Sequence, residues 1–260
     1  MKLRILIIAL VVFAANQMAV GQLLERENVT KTVYNGSRPE EGNFGLTIAA
    51  GYAEIKEMID EDVSFRGFPV LNFNYYFSDN LELVLGAQMY KLSEKFSGSL
   101  LDDIGEEADI NKESRMRFIP GVNYHFAQSN FLDTYVGLGV ILGTEKDEVV
   151  TSQRTNLTGD YASDHYTKSS FVSGFNLNIG VRTFVADLPV AIGIEYGLTG
   201  VNHSNLQYET VSEASVGGVK TKQTYYTKEV DSALKYKSLE YKKFELGSNV
   251  RAVLTYYFRK

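Results

Sequence analysis

The stretch ESRMRFIPGVNYHF, residues 113–126, alternates apolar and polar side chains along most of its length. In an extended strand, successive side chains point to opposite faces. One face would carry Met116, Phe118, Pro120, Val122, Tyr124 and Phe126. The other face would carry Arg115, Arg117, Ile119, Gly121, Asn123 and His125. The pattern therefore predicts a strand whose apolar face must be covered by protein or by lipid.

The same alternation recurs in seven other stretches of the chain. These predicted strands cover residues 43–53, 65–77, 81–95, 131–145, 170–185, 190–202 and 244–258. Each is long enough to cross a bilayer as a tilted strand, which takes roughly 9–11 residues. A closed ring of such strands pairs every backbone donor and acceptor, as hydrocarbon requires.

The connections between the predicted strands alternate between short and long. Short turns follow the second, fourth and sixth strands, at 78–80, 127–130 and 186–189, and polar loops follow the others, at 54–64, 96–112, 146–169 and 203–243. Short turns on one side and long loops on the other are typical of outer-membrane barrels. We therefore predict an all-β fold, an eight-stranded antiparallel up-and-down transmembrane β-barrel with long external loops.

The first residues have the composition of a secretory leader. Lys2 and Arg4 precede an apolar run over 5–15, and small residues end at Gly21. This pattern predicts a signal peptide over 1–21. Residues 22–42 are polar and are predicted to be a periplasmic N-terminal segment, and residues 43–260 form the predicted barrel. No other apolar run is long enough for a transmembrane helix.

Charge and composition exclude several functions. Without Lys2 and Arg4 the chain has 24 basic and 32 acidic residues, a net charge of −8, which disfavours nucleic-acid binding. There is no cysteine, and the three histidines are scattered, so we expect no disulfide, no transition-metal site and no cofactor. The acidic loop segments around 54–62 and 102–109 lack the spacing of an EF-hand and are interpreted as solvated charge.

With eight strands, three tight turns and an aromatic closing strand ending at Phe258, the chain resembles the small outer-membrane barrel family of Gram-negative bacteria. Its familiar members are OmpX and the OmpA transmembrane domain, and the resemblance covers about residues 43–258. It implies a location in the outer membrane, contact with outer-membrane lipid and insertion by the barrel-assembly machinery. Family members often end on an aromatic residue, whereas here Arg259 and Lys260 follow Phe258.

Two sets of residues follow from the two faces. Aromatic residues at strand ends on the apolar face are predicted to form an interface girdle: Tyr75, Phe77, Tyr124, Phe126, Tyr256 and Phe258. An arginine on the lipid face would cost about 2–4 kcal/mol, so charged residues of the polar face are predicted to form an ion-pair network in the lumen. They are Arg66, Glu82, Arg115, Arg117, Arg182, Glu195, Glu245 and Arg251. Such a network predicts a plugged lumen with little conductance, against the alternative of a gated pore.

The predicted function is non-enzymatic and lies in the external loops: surface interaction, adhesion or membership of an envelope complex. In the longest loop, β-forming residues flank Gly217 and Gly218, which favours a hairpin. We expect the seventh and eighth strands to continue past the bilayer as a protruding sheet whose edge could bind a protein partner, against the alternative of a merely long loop.

Two other functions stay open at this point. A periplasmic lipocalin-like carrier of apolar ligands would turn the apolar face inward. A lipid A deacylase-like enzyme could use His203 and Ser204 near the end of the seventh strand. Adjacent strand residues point to opposite faces, however, which separates a base from its nucleophile.

Overall fold

A computed structural model describes residues 38–51, 70–99, 105–128, 131–155, 158–185, 188–230 and 232–258. The predicted signal peptide, the predicted segment 22–42 up to residue 37, the predicted loop 54–64 and Arg66 lie outside these residues. The described residues form ten β-strands and contain no helix. They are β1 (Phe44–Gly51), β2 (Val70–Ser78), β3 (Leu81–Ser99), β4 (Gly105–Gln128), β5 (Leu132–Thr155), β6 (Tyr161–Phe184), β7 (Val190–Ser204), β8 (Tyr208–Val216), β9 (Val219–Thr227) and β10 (Lys243–Phe258).

All strand pairs are antiparallel and belong to one sheet. Each strand from β1 to β6 pairs with the next in sequence, and β10 pairs with both β7 and β1. Strands β1–β7 and β10 thereby form a closed ring. Outside the ring, β8 pairs with β6 and β9 pairs with β8. The all-β antiparallel prediction is confirmed. The sheet has ten strands: eight of them, β1–β7 and β10, form the ring, and the other two lie in the predicted loop 203–243.

Four strands extend beyond the residues in which apolar and polar side chains alternate. β4, β5 and β6 each have 24 residues and β3 has 19. The predicted loops 96–112 and 146–169 are therefore mostly strand, with β3 paired to β4 as far as Ser99↔Glu106 and β5 paired to β6 as far as Arg154↔Tyr161. Sequence patterning missed these extensions because a strand with both faces in water needs no apolar stripe.

The strands that extend are not the ones predicted to do so. β7 ends at Ser204 and β10 begins at Lys243, and the two are paired at that end as His203↔Lys243. The hairpin expected at Gly217 and Gly218 is present as β8 and β9, and it pairs with the first residues of β6. We call this part of the molecule the projecting sheet: β8, β9 and the residues of β3–β6 beyond the paired row Met89, Met116, Thr144 and Phe171.

The ring is polar inside and apolar outside. Its buried residues include Thr47, Asn74, Glu82, Asp133 and Arg182. Large apolar side chains of the opposite parity are exposed, and we call them the apolar belt: Phe44, Ile48, Leu71, Phe73, Phe77, Leu83, Leu85, Met89, Met116, Phe118, Val122, Tyr124, Phe126, Val136, Leu138, Val140, Leu142, Phe171, Phe175, Leu177, Ile179, Ile192, Ile194, Tyr196, Phe244, Leu246, Val250, Leu254, Tyr256 and Phe258. A lipocalin-like carrier would have the opposite arrangement.

Two small apolar clusters lie within this polar interior. One joins Tyr76, Phe184, Ala191 and Tyr257 near the tight turns, and the other joins Ile141, Val172 and Val201 with Ile119 packed against them. No described helix is both long enough and apolar enough to cross a membrane.

Candidate functional site

The interior of the ring is the candidate site, and its most buried part lies near the tight turns. Glu82 near the start of β3 and Arg182 near the end of β6 have side chains that are 0% and 2% exposed. Arg182 Nη2 donates to Glu82 Oε2 over 2.7 Å, and Nη1 lies 3.4 Å from Oε1. The same carboxylate accepts hydrogen bonds from the amides of Asn74 and Asn123. Both carboxylate oxygens are thus saturated by donors from three other strands.

His125 adds a second carboxylate to this cluster. Its Nδ1 lies 2.8 Å from Asp133 Oδ2, and its Nε2 lies 3.3 Å from Glu82 Oε2. The guanidinium of Arg182 lies 4.2 Å from the centre of the Tyr135 ring, in cation–π contact, and its Nη1 is 3.3 Å from the Tyr257 hydroxyl. The aromatic rings fill the space around the charges, so this half of the interior is packed.

The next layer is built around Glu195 of β7. Its carboxylate pairs with Arg251 of β10 and accepts hydrogen bonds from the Tyr135 hydroxyl at 3.0 Å and Asn178 Nδ2 at 2.7 Å. Gly180 makes room for the Tyr135 ring, because a Cβ there would lie 2.3 Å from that ring. Tyr135 therefore connects the two layers: its ring contacts Arg182, and its hydroxyl contacts Glu195.

The outermost layer lies near the start of the projecting sheet. Arg117 Nη2 donates to Glu145 Oε1 over 2.6 Å, and Glu145 Oε2 lies 3.6 Å from His203 Nδ1. His203 Nε2 lies 3.3 Å from Glu245. Ion pairs thus continue from the tight turns to the opposite end of the ring.

The structure brings together most of the predicted network, in separate pairs. Arg182 contacts Glu82, Arg251 contacts Glu195, and Arg117 contacts Glu145, which the sequence did not single out. Glu245 lies at the rim beside Lys243 and His203, and its side chain is half exposed. Arg115 is also half exposed and lies beside Glu113 and the ring of Tyr90 rather than in a shared network.

Sequence reasoning also missed Asp133 beside His125. Asp133 and Glu145 both have the inward parity of the fifth predicted strand, so the alternation alone could have indicated them.

The residues predicted as an aromatic girdle all lie at the end of the ring that carries the tight turns. Phe77, Tyr124, Phe126, Tyr256 and Phe258 are exposed, and Tyr75 is partly buried against Phe44, with ring centroids 4.9 Å apart. Tyr256 and Phe258 stack edge to face at 5.2 Å. Their role at a lipid interface stays a prediction.

The structure separates His203 from Ser204. His203 is buried between two glutamates, whereas the Ser204 hydroxyl donates to the carbonyl of Phe171 at 3.2 Å. A base and nucleophile pair is therefore not formed by these two residues. Among the described residues, no group of three or more potential ligands could hold a metal ion.

A cavity of about 310 Å³ remains in the half of the interior away from the tight turns. Its wall includes Arg117, Asn176, Gly247, Asn249 and Arg251. Since the packed cluster of Glu82 and Arg182 fills the other half, the interior divides into a filled part and a partly open part.

The projecting sheet is a second candidate site, and its surface is polar. Glu148 of β5 accepts hydrogen bonds from Lys112 at 3.1 Å and Lys146 at 3.2 Å, which holds the pKa of Glu148 below its ordinary value of 4.5. Burial by itself lowers the pKa of Lys168, but its contact with the Asp147 carboxylate and the Tyr208 ring outweighs this effect and the pKa is raised.

Lysines and tyrosines are concentrated in β9 and in the segment that follows it. We call this the lysine surface: Lys220, Lys222, Lys228, Lys235 and Lys237. Lys235 Nζ lies 4.3 Å from the centre of the Tyr225 ring and Lys228 Nζ lies 5.4 Å from that of Tyr241. Of these five lysines, only Lys222 has an ion pair within the described residues, with Glu213. Among the described residues the other four have no ion pair.

Comparisons of the chain with protein-family models and with curated proteins found no match.

Proposed function

We propose that the chain is a non-enzymatic outer-membrane β-barrel of a Gram-negative bacterium that acts through its external segments in surface interaction or adhesion. In this arrangement the apolar belt contacts acyl chains, the tight turns face the periplasm, and the projecting sheet lies outside the cell. The single observation that carries the proposal is the combination of an exposed apolar belt with a buried, charged interior. In water such a surface would drive aggregation.

The edge of the apolar belt supports the same proposal. On three of four neighbouring strands the outward side chains change from apolar to polar between adjacent rows of the ladder, and on the fourth, β5, both rows are polar. The row Met89, Met116, Thr144 and Phe171 is followed by the row Lys91, Ser114, Lys146 and Ser169. A change at the same height on separate strands is expected where a hydrocarbon layer ends.

The projecting sheet and the lysine surface supply the external surface for interaction. β9 pairs with β8 along one edge, and at its other edge the structure records a single bridge within the described residues, Tyr226↔Tyr236. Lysines on an open strand edge disfavour indiscriminate strand pairing. An acidic surface partner would meet complementary charge here.

The packed cluster around Glu82 and Arg182 supports a lumen without a permanent channel. Protein purified and inserted in planar bilayers should give little or no stepwise conductance. Large, steady single-channel currents would contradict this part of the proposal.

The proposal is tested by fractionating cells and by comparing gel migration of unboiled and boiled samples. A folded barrel in the outer-membrane fraction should migrate at a different apparent size before boiling. A processed chain that stays monodisperse in buffer without detergent would overturn the membrane location, and a changed acylation pattern of lipids in cells with the gene would favour an enzyme.

A further inference from the structure

The cavity in the ring interior has a chemical character that the proposed function leaves unused. Arg117 and Arg251 line it from nearly opposite strands of the ring, β4 and β10. Each guanidinium is already paired with a carboxylate, Glu145 and Glu195 respectively. The paired charges therefore cancel, and a bound anion would meet no surplus positive charge.

Hydrogen-bonding groups remain in this neutral wall. The side chains of Arg117 and Arg251 are 27% and 12% exposed, and each is bound to its carboxylate through Nη2. The amides of Asn176 and Asn249 also line the cavity, and Asn176 Oδ1 accepts a hydrogen bond from Thr199 at 3.1 Å. The exposed N–H groups of these guanidinium and amide side chains can donate to a ligand that supplies acceptors.

The wall also has apolar surface and free space. Ile119 and Ile141 contribute aliphatic side chains to it. A Cβ built at Gly247 would meet no atom within 4 Å, whereas one at Gly197 would approach Asn249 Oδ1 to 2.9 Å. Gly197 thus leaves room for the Asn249 and Arg251 side chains, and Gly247 borders the empty volume.

We propose that this cavity binds a neutral sugar, as a free sugar or as the end unit of a glycan. A sugar hydroxyl both donates and accepts hydrogen bonds, which matches a wall that offers guanidinium donors and amide groups together. The aliphatic side chains can pack against the C–H face of a pyranose ring. The volume, about 310 Å³, lies at the lower end of the range for small-molecule sites and suits one or two sugar units.

The proposed sugar site depends only on the ring interior. An absence of sugar binding would therefore leave the membrane proposal intact. The test uses the full mature chain in detergent micelles and three probes: D-glucose, D-galactose and N-acetyl-D-glucosamine. Binding is followed by saturation-transfer NMR, with inorganic phosphate and acetate as competitors. At least one sugar should bind in the millimolar range, and neither anion should displace it.

The Gly247→Phe variant should lower the affinity at least about tenfold because the ring occupies the cavity. Gly98→Phe is the matched control: a Cβ at Gly98 would meet only Phe96, at 3.9 Å, but Gly98 lies in the projecting sheet, and this variant should bind as the natural chain does. Gel migration before boiling verifies that both variants fold, and Asn249→Leu, which keeps the backbone of β10 unchanged, replaces Gly247→Phe if that variant does not fold.

The proposal is overturned if none of the three sugars binds, if the cavity variants bind as well as the control, or if phosphate or acetate displaces the sugar.

Discussion

The ring and the projecting sheet share the strands β3–β6, yet their side chains follow different rules. On β4, the outward residues Met116, Phe118 and Val122 are apolar and exposed, whereas the outward residues Lys112 and Ser114 are polar. The strand pairing continues without interruption across this change. Backbone hydrogen bonds therefore pair the strands in both regions, and the surroundings decide which side chains are tolerated. The following four predictions test this contrast, from the largest expected effect to the smallest.

Breaking the buried pair in the ring should have the largest effect. Arg182→Met leaves the Glu82 carboxylate buried without its cation and should lower the free energy of unfolding by about 3–5 kcal/mol. Urea unfolding in lipid vesicles, followed by gel migration, measures it. Lys112→Met removes an exposed pair with Glu148 in the projecting sheet and should cost less than about 1 kcal/mol. Equal losses in the two variants would contradict the difference between the regions.

An arginine placed on the outward face tests whether that face contacts lipid or water. Val122→Arg in the apolar belt should cost about 2–4 kcal/mol in a bilayer, while Ser114→Arg on the same face of β4 should be nearly neutral. The same unfolding assay applies to both variants. If Val122→Arg is tolerated as well as Ser114→Arg, the belt does not face hydrocarbon.

The hairpin of the projecting sheet should be sensitive to its turn. Gly217 and Gly218 have φ values of 58° and 80°, a region that costs a residue with a side chain about 1–2 kcal/mol. Gly217→Val should therefore increase hydrogen exchange in β8 and β9 and leave β1 and β10 of the ring unchanged. Gly98→Val, at a glycine with an ordinary φ and open space, should leave exchange unaltered. Increased exchange throughout the ring would show that the two regions unfold together.

Acid should weaken the projecting sheet before the ring, by less than about 1 kcal/mol. The pKa of Glu148 is lowered because Lys112 and Lys146 stabilise its charged form. Its contribution is therefore complete above its ordinary pKa of 4.5 and is lost as the pH falls through the lowered value. Hydrogen exchange in β4 and β5 near Lys112 and Glu148 should rise as the pH falls below the ordinary pKa of 4.5. Glu148→Gln should remove this part of the pH dependence, and an unchanged profile would contradict the assignment.

The alternation of residues 113–126 was enough to predict β4 and the two faces of the ring, because side-chain direction in a strand follows from local geometry. It did not predict residues 105–112 of the same strand, where most side chains are polar and apolar residues do not alternate along the whole stretch. The hairpin at Gly217 and Gly218 was predicted because its turn has a local signal. Its pairing with β6 was not, since no local pattern indicates which strand a hairpin joins.

The candidate site shows the same division. The alternation of side chains along each strand predicted that Glu82, Arg182, Glu195 and Arg251 lie on the inward face. It did not indicate which of these charges would contact each other. Glu82 and Arg182 are 100 residues apart in the chain, and their contact depends on the closure and register of the ring.

The sequence by itself determined that the chain forms strands with one apolar and one polar face, because that information repeats every second residue. Only the tertiary structure decided that the polar face is enclosed, which acids and bases pair there, where the interior is left open, and which strands continue into the projecting sheet. These features depend on contacts between residues far apart in the chain, and they are fixed only when β1 pairs with β10.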